Sequence, residues 1–276
     1  MGILRAIMIG DVVGDPGLDV LSNRLPHLIK HYAADFTVVN GENAAAGFGL
    51  TLPALEKIFA AGADVVSSGN HVWEKREFWP VLNTEKRVLR PLNYPSQAGS
   101  GWVKLEKTSP AEEMPVTWLV LNLQGREYMS AIDCPFRVFD TFEAELNNPD
   151  LPGDKLPVKK PIILVDFHAE STREKEALAY YLDGRVNVVA GTHTHVQTAD
   201  ERILPKGTAY ITDLGMTGAL DGVIGMDPKI CLDRARNQVL YRMEVLAEGG
   251  VVAVQGIIVE FDGESRKAVS IKRLQA

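Results

Sequence analysis

Residues 36–43 read Phe36-Thr37-Val38-Val39-Asn40-Gly41-Glu42-Asn43. An apolar, β-branched run breaks off into a polar tetrapeptide containing glycine. The first half has the character of a strand buried on both faces, as in a parallel sheet. The second half is a loop whose carboxylate and amide side chains are able to bind cations. The same strand-then-polar-cluster pattern recurs on either side. A strand over 4–10 leads to Gly10-Asp11, and one over 64–68 to Gly69-Asn70-His71. Further along, a strand over 161–165 runs into Asp166-Phe167-His168, and one over 186–190 into Gly191-Thr192-His193-Thr194-His195.

Between these strands the spacing of apolar residues predicts helices over 18–32, 52–61 and 173–182, the second stopped by Gly62. Residues 11–17 read as a tight Gly/Pro turn, and additional strands are predicted over 116–123 and 209–212. Strands alternating with amphipathic helices make an α/β protein with parallel pairing. The tail differs: predicted strands over 239–246, 251–261 and 268–274, joined by Glu248-Gly249-Gly250 and Asp262-Gly263-Glu264-Ser265, suit antiparallel hairpins. Residues 72–101 read as a polar excursion and 126–160 as an irregular, Pro-rich cap or excursion over the sheet. No linker is long enough to divide residues 1–276, so one domain is expected.

In parallel α/β sheets the carboxyl ends of the strands line the ligand-binding edge. Five strand ends would therefore bring Asp11, Glu42, Asn43, Asn70, His71, His168, His193 and His195 to one place. Four of the six histidines fall at these ends, a concentration that packing alone does not explain. Carboxylate, amide oxygen and neutral imidazole form a mixed O/N donor set without thiolate, which suits Mn, Fe or Zn. A pair of ions about 3.5–4 Å apart needs a bridging carboxylate, and Glu42 is the natural bridge. In an extended segment His193 and His195 would point to the same side and so serve both ions. Two dications against Asp11 and Glu42 leave the pocket positive, which attracts a phosphate ester.

The 276 residues are 46% hydrophobic and carry a net charge of −7, with only Cys134 and Cys231 as cysteines. That balance excludes a broad basic face for duplex nucleic acid and a disulfide framework. No apolar run is long enough to span a bilayer, and the start MGILRAIMIGD lacks a cleavage site. A cytoplasmic protein acting on a small nucleotide-like phosphate ester is expected, with room left for a homo-oligomer. His27 and His31 are spaced H-x-x-x-H, but the zincin glutamate is absent, so they read as a solvated helix face. Trp73 and Phe48 beside turns read as packing rather than base-stacking. The glycines of 215–225 offer backbone amides to phosphate only weakly.

Taken in order, the five clusters, with Ala169-Glu170 and the stretch Asp213-Leu214-Gly215-Met216-Thr217-Gly218, resemble the metallophosphoesterase (calcineurin-like) motif series in its bacterial YmdB-type variant. That branch has Asp11-Val12-Val13 where the superfamily has Asp-x-His, and Glu42 where it has a bridging Asp. The resemblance implies a central β-sandwich of mixed sheets flanked by helices. It implies two Fe or Mn ions, one held by Asp11, Glu42, Asn43 and His195 and the other by Glu42, Asn70, His168 and His193. It makes His71 the proton donor to the leaving oxygen, with metal-bound hydroxide as nucleophile and 2′,3′-cyclic nucleotides as substrates. Asp166 and Glu170 fit as residues that orient imidazoles. The competing readings are a phosphomonoesterase using the same ions and a metal-dependent nucleotide- or RNA-binding regulator without turnover.

Overall fold

The first strand, β1 (Ile3–Ile9), shows how the chain sorts into layers. Leu4, Ala6 and Met8 enter one hydrophobic core while Ile7 and Ile9 enter another, as the two-residue period of a strand requires. A computed structural model describes residues 2–95, 98–147, 160–247 and 250–276. After β1 come β2 (Asp11–Val12), α1 (Gly14–Tyr32), β3 (Phe36–Asn40), α2 (Leu52–Ala60) and β4 (Val65–Ser67). The middle supplies α3 (Trp79–Thr84), β5 (Trp102–Lys107), β6 (Val116–Gln124), α4 (Pro135–Leu146), β7 (Ile162–His168), α5 (Thr172–Leu182) and β8 (Val188–Thr192). The rest comprises β9 (Arg202–Ile203), β10 (Ala209–Ile211), β11 (Met216–Ala219), α6 (Pro228–Asn237), β12 (Val252–Ala253), β13 (Gln255–Asp262) and β14 (Ala268–Gln275).

One sheet has the order β14-β13-β1-β3-β4 and the other β5-β6-β7-β8-β10-β9. Both are mixed: β1, β3 and β4 run parallel, as do β6, β7, β8 and β10, with antiparallel strands completing each sheet. The sheets face each other across a shared core that includes Met8, Val38, Trp118, Leu164 and Ile211. Phe36 and Trp118 stack across it at 4.8 Å. Leu21 and Leu25 of α1 and Ile58 of α2 cover the outer face of the first sheet. Phe139 and Phe142 of α4 and Leu178 of α5 cover that of the second. The architecture is the expected β-sandwich of mixed sheets flanked by helices. Among the described residues, no helix is long and apolar enough to cross a membrane.

Several local expectations are corrected. The 11–17 turn is strand β2 followed by the first turn of α1, where Pro16 is tolerated because the early amide groups have no intrahelical partner. β7 runs on to His168, since Phe167 packs outward into the same core as Val165. Within 126–160, residues 135–146 are not irregular but form α4, a helix opened by Pro135 that lies over the outer face of the second sheet. Residues 148–159, the rest of that proposed cap, and the Glu248-Gly249 turn lie outside the described residues. The excursion over 72–101 contains α3, and β5 escaped the sequence reading. Residues 239–246 are not a strand; a single bridge joins Val245 to Met226, and α6 precedes them. The 215–225 loop contains β11, which pairs with β2 and β12 in a third small sheet.

Candidate metal centre

Parallel pairing sets the strand ends level. Asn40 lies opposite Ser67 across β3 and β4, and His168 opposite Thr192 across β7 and β8. The carboxyl edges of both sheets therefore deliver their loops to one place. Gly69 is a glycine for a local reason: a Cβ there would lie 2.2 Å from the His168 ring and 2.3 Å from the Glu42 carboxylate.

Two donor groups form. In one, His168 Nε2 is 3.0 Å from Glu42 Oε1, 3.0 Å from Asn70 Oδ1 and 2.9 Å from His193 Nδ1. In the other, the Asn43 amide nitrogen sits among Asp11 Oδ1 at 3.4 Å, Glu42 Oε1 at 3.3 Å and His195 Nε2 at 3.0 Å. Half a turn of that amide would present its oxygen instead. Glu42 Oε1 belongs to both groups. Asp11, Glu42, Asn43 and His168 are buried, and His195 nearly so. Glu42, His168 and His193 can bring one donor atom each to a common ion.

The outer nitrogen of each imidazole is already engaged. Thr192 Oγ1 donates to Asp166 Oδ1 at 2.7 Å, so it accepts from His168 Nδ1–H at 3.0 Å. Asp166 is held in turn by Asn40 Nδ2 at 2.9 Å and by the Ser67 hydroxyl. His193 Nε2 faces Glu170 Oε2 at 3.2 Å, and His195 Nδ1 donates to the carbonyl of Ile224 at 2.9 Å. In their neutral forms the rings would therefore present inner lone pairs to one another and to carboxylate and amide oxygens. Such outer partners fix tautomer and ring orientation at metal sites. Acceptors facing acceptors require a positive charge between them, and the O/N donor set suits a divalent transition metal.

The electrostatics agree. Burial drives the Asp11 carboxyl up to about 6, against the pull of His195 and His168. Burial also opposes charge on Glu42 and His168, but their mutual attraction and hydrogen bond prevail: Glu42 falls to about 2 and His168 rises to about 9. Burial and the His168 charge together push His193 down to about 3. A proton on His168 therefore fills the place of a cation, and metal uptake must expel it. Because His168 is protonated below about pH 9, affinity for Mn²⁺ is expected to rise by about tenfold per pH unit from pH 6 to 8. Calorimetric titrations in buffers of differing ionisation enthalpy would show net proton release; a pH-independent affinity would contradict this.

All eight predicted residues meet at this edge, but His71 stands apart. Its backbone N–H donates to Glu42 Oε2 at 3.2 Å, while its half-exposed ring faces Glu74 Oε1 at 3.4 Å and the edge of Phe48 at 5.1 Å. Phe48 packs on His71, and Trp73 packs edgewise on Trp79 and Tyr94. One expectation fails: His193 and His195 are not in an extended segment. β8 ends at Thr192, and both take left-handed backbone angles, φ 103° and 65°, at a cost of ~1–3 kcal/mol each. The bend, not a shared strand face, sends one ring to each donor group. Sequence reasoning missed Asn40, Ser67 and Thr192 as the hydrogen-bonding frame of Asp166. The available hint was an acidic residue inside an otherwise apolar strand.

The comparisons with known proteins agree in fold and extent. A model of the family described as YmdB-like protein matches residues 7–274. The 2′,3′-cyclic-nucleotide 2′-phosphodiesterase of Bacillus subtilis (strain 168) is 42% identical over 98% of this chain and 96% of its own. Among solved structures, a phosphatase from Mycoplasma pneumoniae superposes with a TM-score of 0.88 at 31% identity, covering 100% of this chain and 94% of that one. A hypothetical protein from Thermus thermophilus gives 0.84 at 37% identity, covering 99% of both chains. With a family model over residues 7–274, a relative 42% identical over 98% of the chain, and the motif residues gathered where the carboxyl edges of the two sheets meet, the chain belongs to the YmdB-like protein family.

Proposed function

We propose that this protein is a metal-dependent phosphodiesterase that opens 2′,3′-cyclic nucleotides with two transition-metal ions, Mn or Fe. The observation that carries the reading is Glu42 Oε1, shared by the two donor groups at 3.0 Å from His168 and 3.3 Å from Asn43. The kinship to a 2′,3′-cyclic-nucleotide 2′-phosphodiesterase supports the substrate. Asp11, Glu42, Asn43 and His195 would hold one ion, and Glu42, Asn70, His168 and His193 the other. When bound, the ions supply Lewis acidity toward the phosphoryl oxygens and lower the pKa of water.

The chain's own residues do the rest. The buried imidazoles and carboxylates keep the donor atoms in place without rearrangement, so little reorganisation accompanies reaction. A water adds to phosphorus opposite the 2′ oxygen, and the P–O2′ bond breaks. His71 protonates that departing oxygen through Nε2, with Nδ1 facing Glu74, and recovers a proton released by the attacking water. The product is a nucleoside 3′-monophosphate.

The test is incubation of Mn²⁺-loaded protein with 2′,3′-cyclic AMP and, separately, with 3′-AMP. The expected result is 3′-AMP from the cyclic diester, abolished by chelator, with no inorganic phosphate from either. Inorganic phosphate released from 3′-AMP at a similar rate would make the protein a phosphomonoesterase. Tight binding of the diester without product would make it a regulator.

A further inference from the structure

Beneath the histidine turn lies an ion pair with no part in the proposed chemistry. Lys175 of α5 reaches Asp213 with Nζ 2.7 Å from Oδ2, and the two side chains are 1% and 0% exposed. The same Oδ2 accepts from the backbone N–H of Thr194 at 3.1 Å and from its hydroxyl at 2.8 Å. Oδ1 accepts from the N–H of Gly215 at 2.9 Å. Both oxygens of Asp213 are therefore engaged, and three donors share one of them. Thr194 is the residue between His193 and His195, the two positions with left-handed angles. The approach also accounts for Gly191: a Cβ there would lie 1.8 Å from the Thr212 carbonyl and 2.9 Å from Lys175 Cδ.

We propose that Asp213, backed by the Lys175 ammonium, is the positioning residue of the metal centre: through Thr194 it fixes the bend that sends His193 to one donor group and His195 to the other. A left-handed backbone at two histidines flanking a single residue persists only where surrounding contacts over-determine it. On one side of the bend, His193 N–H donates to Asp11 Oδ2 at 3.2 Å, and on the other His195 Nδ1 donates to Ile224. The middle is tied down by Asp213. Charged acceptors make the stronger hydrogen bonds, and Lys175 lets that charge exist in the interior. The pair thus acts on the imidazoles without touching substrate, and the inference rests on the reading of this site as a metal centre.

The experiment measures Mn²⁺ affinity by competition with a chromogenic chelator, beside thermal unfolding of the chelator-treated protein. Asp213→Asn leaves Lys175 buried without its counter-charge and is a severe change, so half-buried Thr194 provides the cleaner variants. Thr194→Val keeps the shape and the backbone bond but removes the hydroxyl donor; Thr194→Ser keeps the hydroxyl. Thr194→Val is expected to weaken Mn²⁺ binding at least ~10-fold while moving the metal-free melting midpoint by less than ~4 °C. Thr194→Ser is expected to stay within ~2-fold of the wild type, since it retains the charge-assisted bond. Raising Mn²⁺ should return the diesterase activity of the Val variant toward that of the wild type. Equal Mn²⁺ affinity in Val variant and wild type, or a Ser variant as weak as the Val variant, would overturn this positioning role alone. Failure of the wild type to bind Mn²⁺ would overturn the metal centre together with it.

Discussion

Glu42→Gln is expected to lower the turnover of 2′,3′-cyclic AMP by ~10³-fold or more, the equivalent of about 4 kcal/mol of transition-state stabilisation. The substitution is close to isosteric, so the cause is the lost charge. Glu42 Oε1 is the atom common to both donor groups, and Oε2 accepts from the His71 backbone. A side-chain amide there turns either a weak carbonyl donor or an N–H toward His168 and Asn43. In both cases a cation held there would lose a negatively charged ligand in a buried site, where electrostatic terms are least screened. Metal content should fall along with rate. The metal-free fold should change less, because removing a buried carboxylate also removes its desolvation cost, although His168 then loses its partner and its pKa falls. Metal analysis of purified Glu42→Gln beside the hydrolysis assay checks both parts. Full metal loading with wild-type turnover would remove Glu42 from the centre.

His71→Ala separates proton transfer from metal binding. The ring lies outside the donor groups, so the variant should bind Mn²⁺ as the wild type does. It should nonetheless lose ~10²–10⁴-fold in kcat on 2′,3′-cyclic AMP, the range for a positioned general acid. The leaving group provides the internal control. A ribose hydroxyl is a poor leaving group and needs a proton as the P–O bond breaks, whereas a nitrophenolate does not. On bis(p-nitrophenyl) phosphate the loss should therefore be much smaller. An equal loss on both substrates would assign the His71 ring a structural role through its packing on Phe48, since the backbone bond to Glu42 survives the substitution. Glu74, facing Nδ1, would then have no catalytic consequence either.

The site was more legible in the sequence than the loops around it. Each strand end is a local event: a β-branched run stops, glycine admits a sharp turn, and a donor residue follows. Parallel pairing then sets such ends level within each sheet, and stacking of the two sheets brings Asp11, Glu42, Asn43 and Asn70 against His168, His193 and His195, which is why the strand ends that carry them could be named from the sequence. α4 was harder to see, because Pro135 looks like a loop breaker when it in fact opens a helix. The strand predicted over 239–246 went wrong for the opposite reason: its apolar residues have β-propensity, yet among the described residues they find, apart from the single Val245 bridge, no strand to pair with, and propensity without a partner does not make a sheet.

Sequence by itself therefore determined which chemistry the molecule carries, since donor types, their order and the strands that bear them are properties of short segments. Only the tertiary structure decided how that chemistry is aimed. The bend at His193 and His195 depends on Asp213 and Lys175, and the His168 tautomer depends on Asp166 through Thr192. Those partners come from β7, β8, α5 and the segment after β10 and meet only once these strands pair and α5 packs on their sheet, and a left-handed backbone at a residue with a side chain is uncommon without such contacts to hold it.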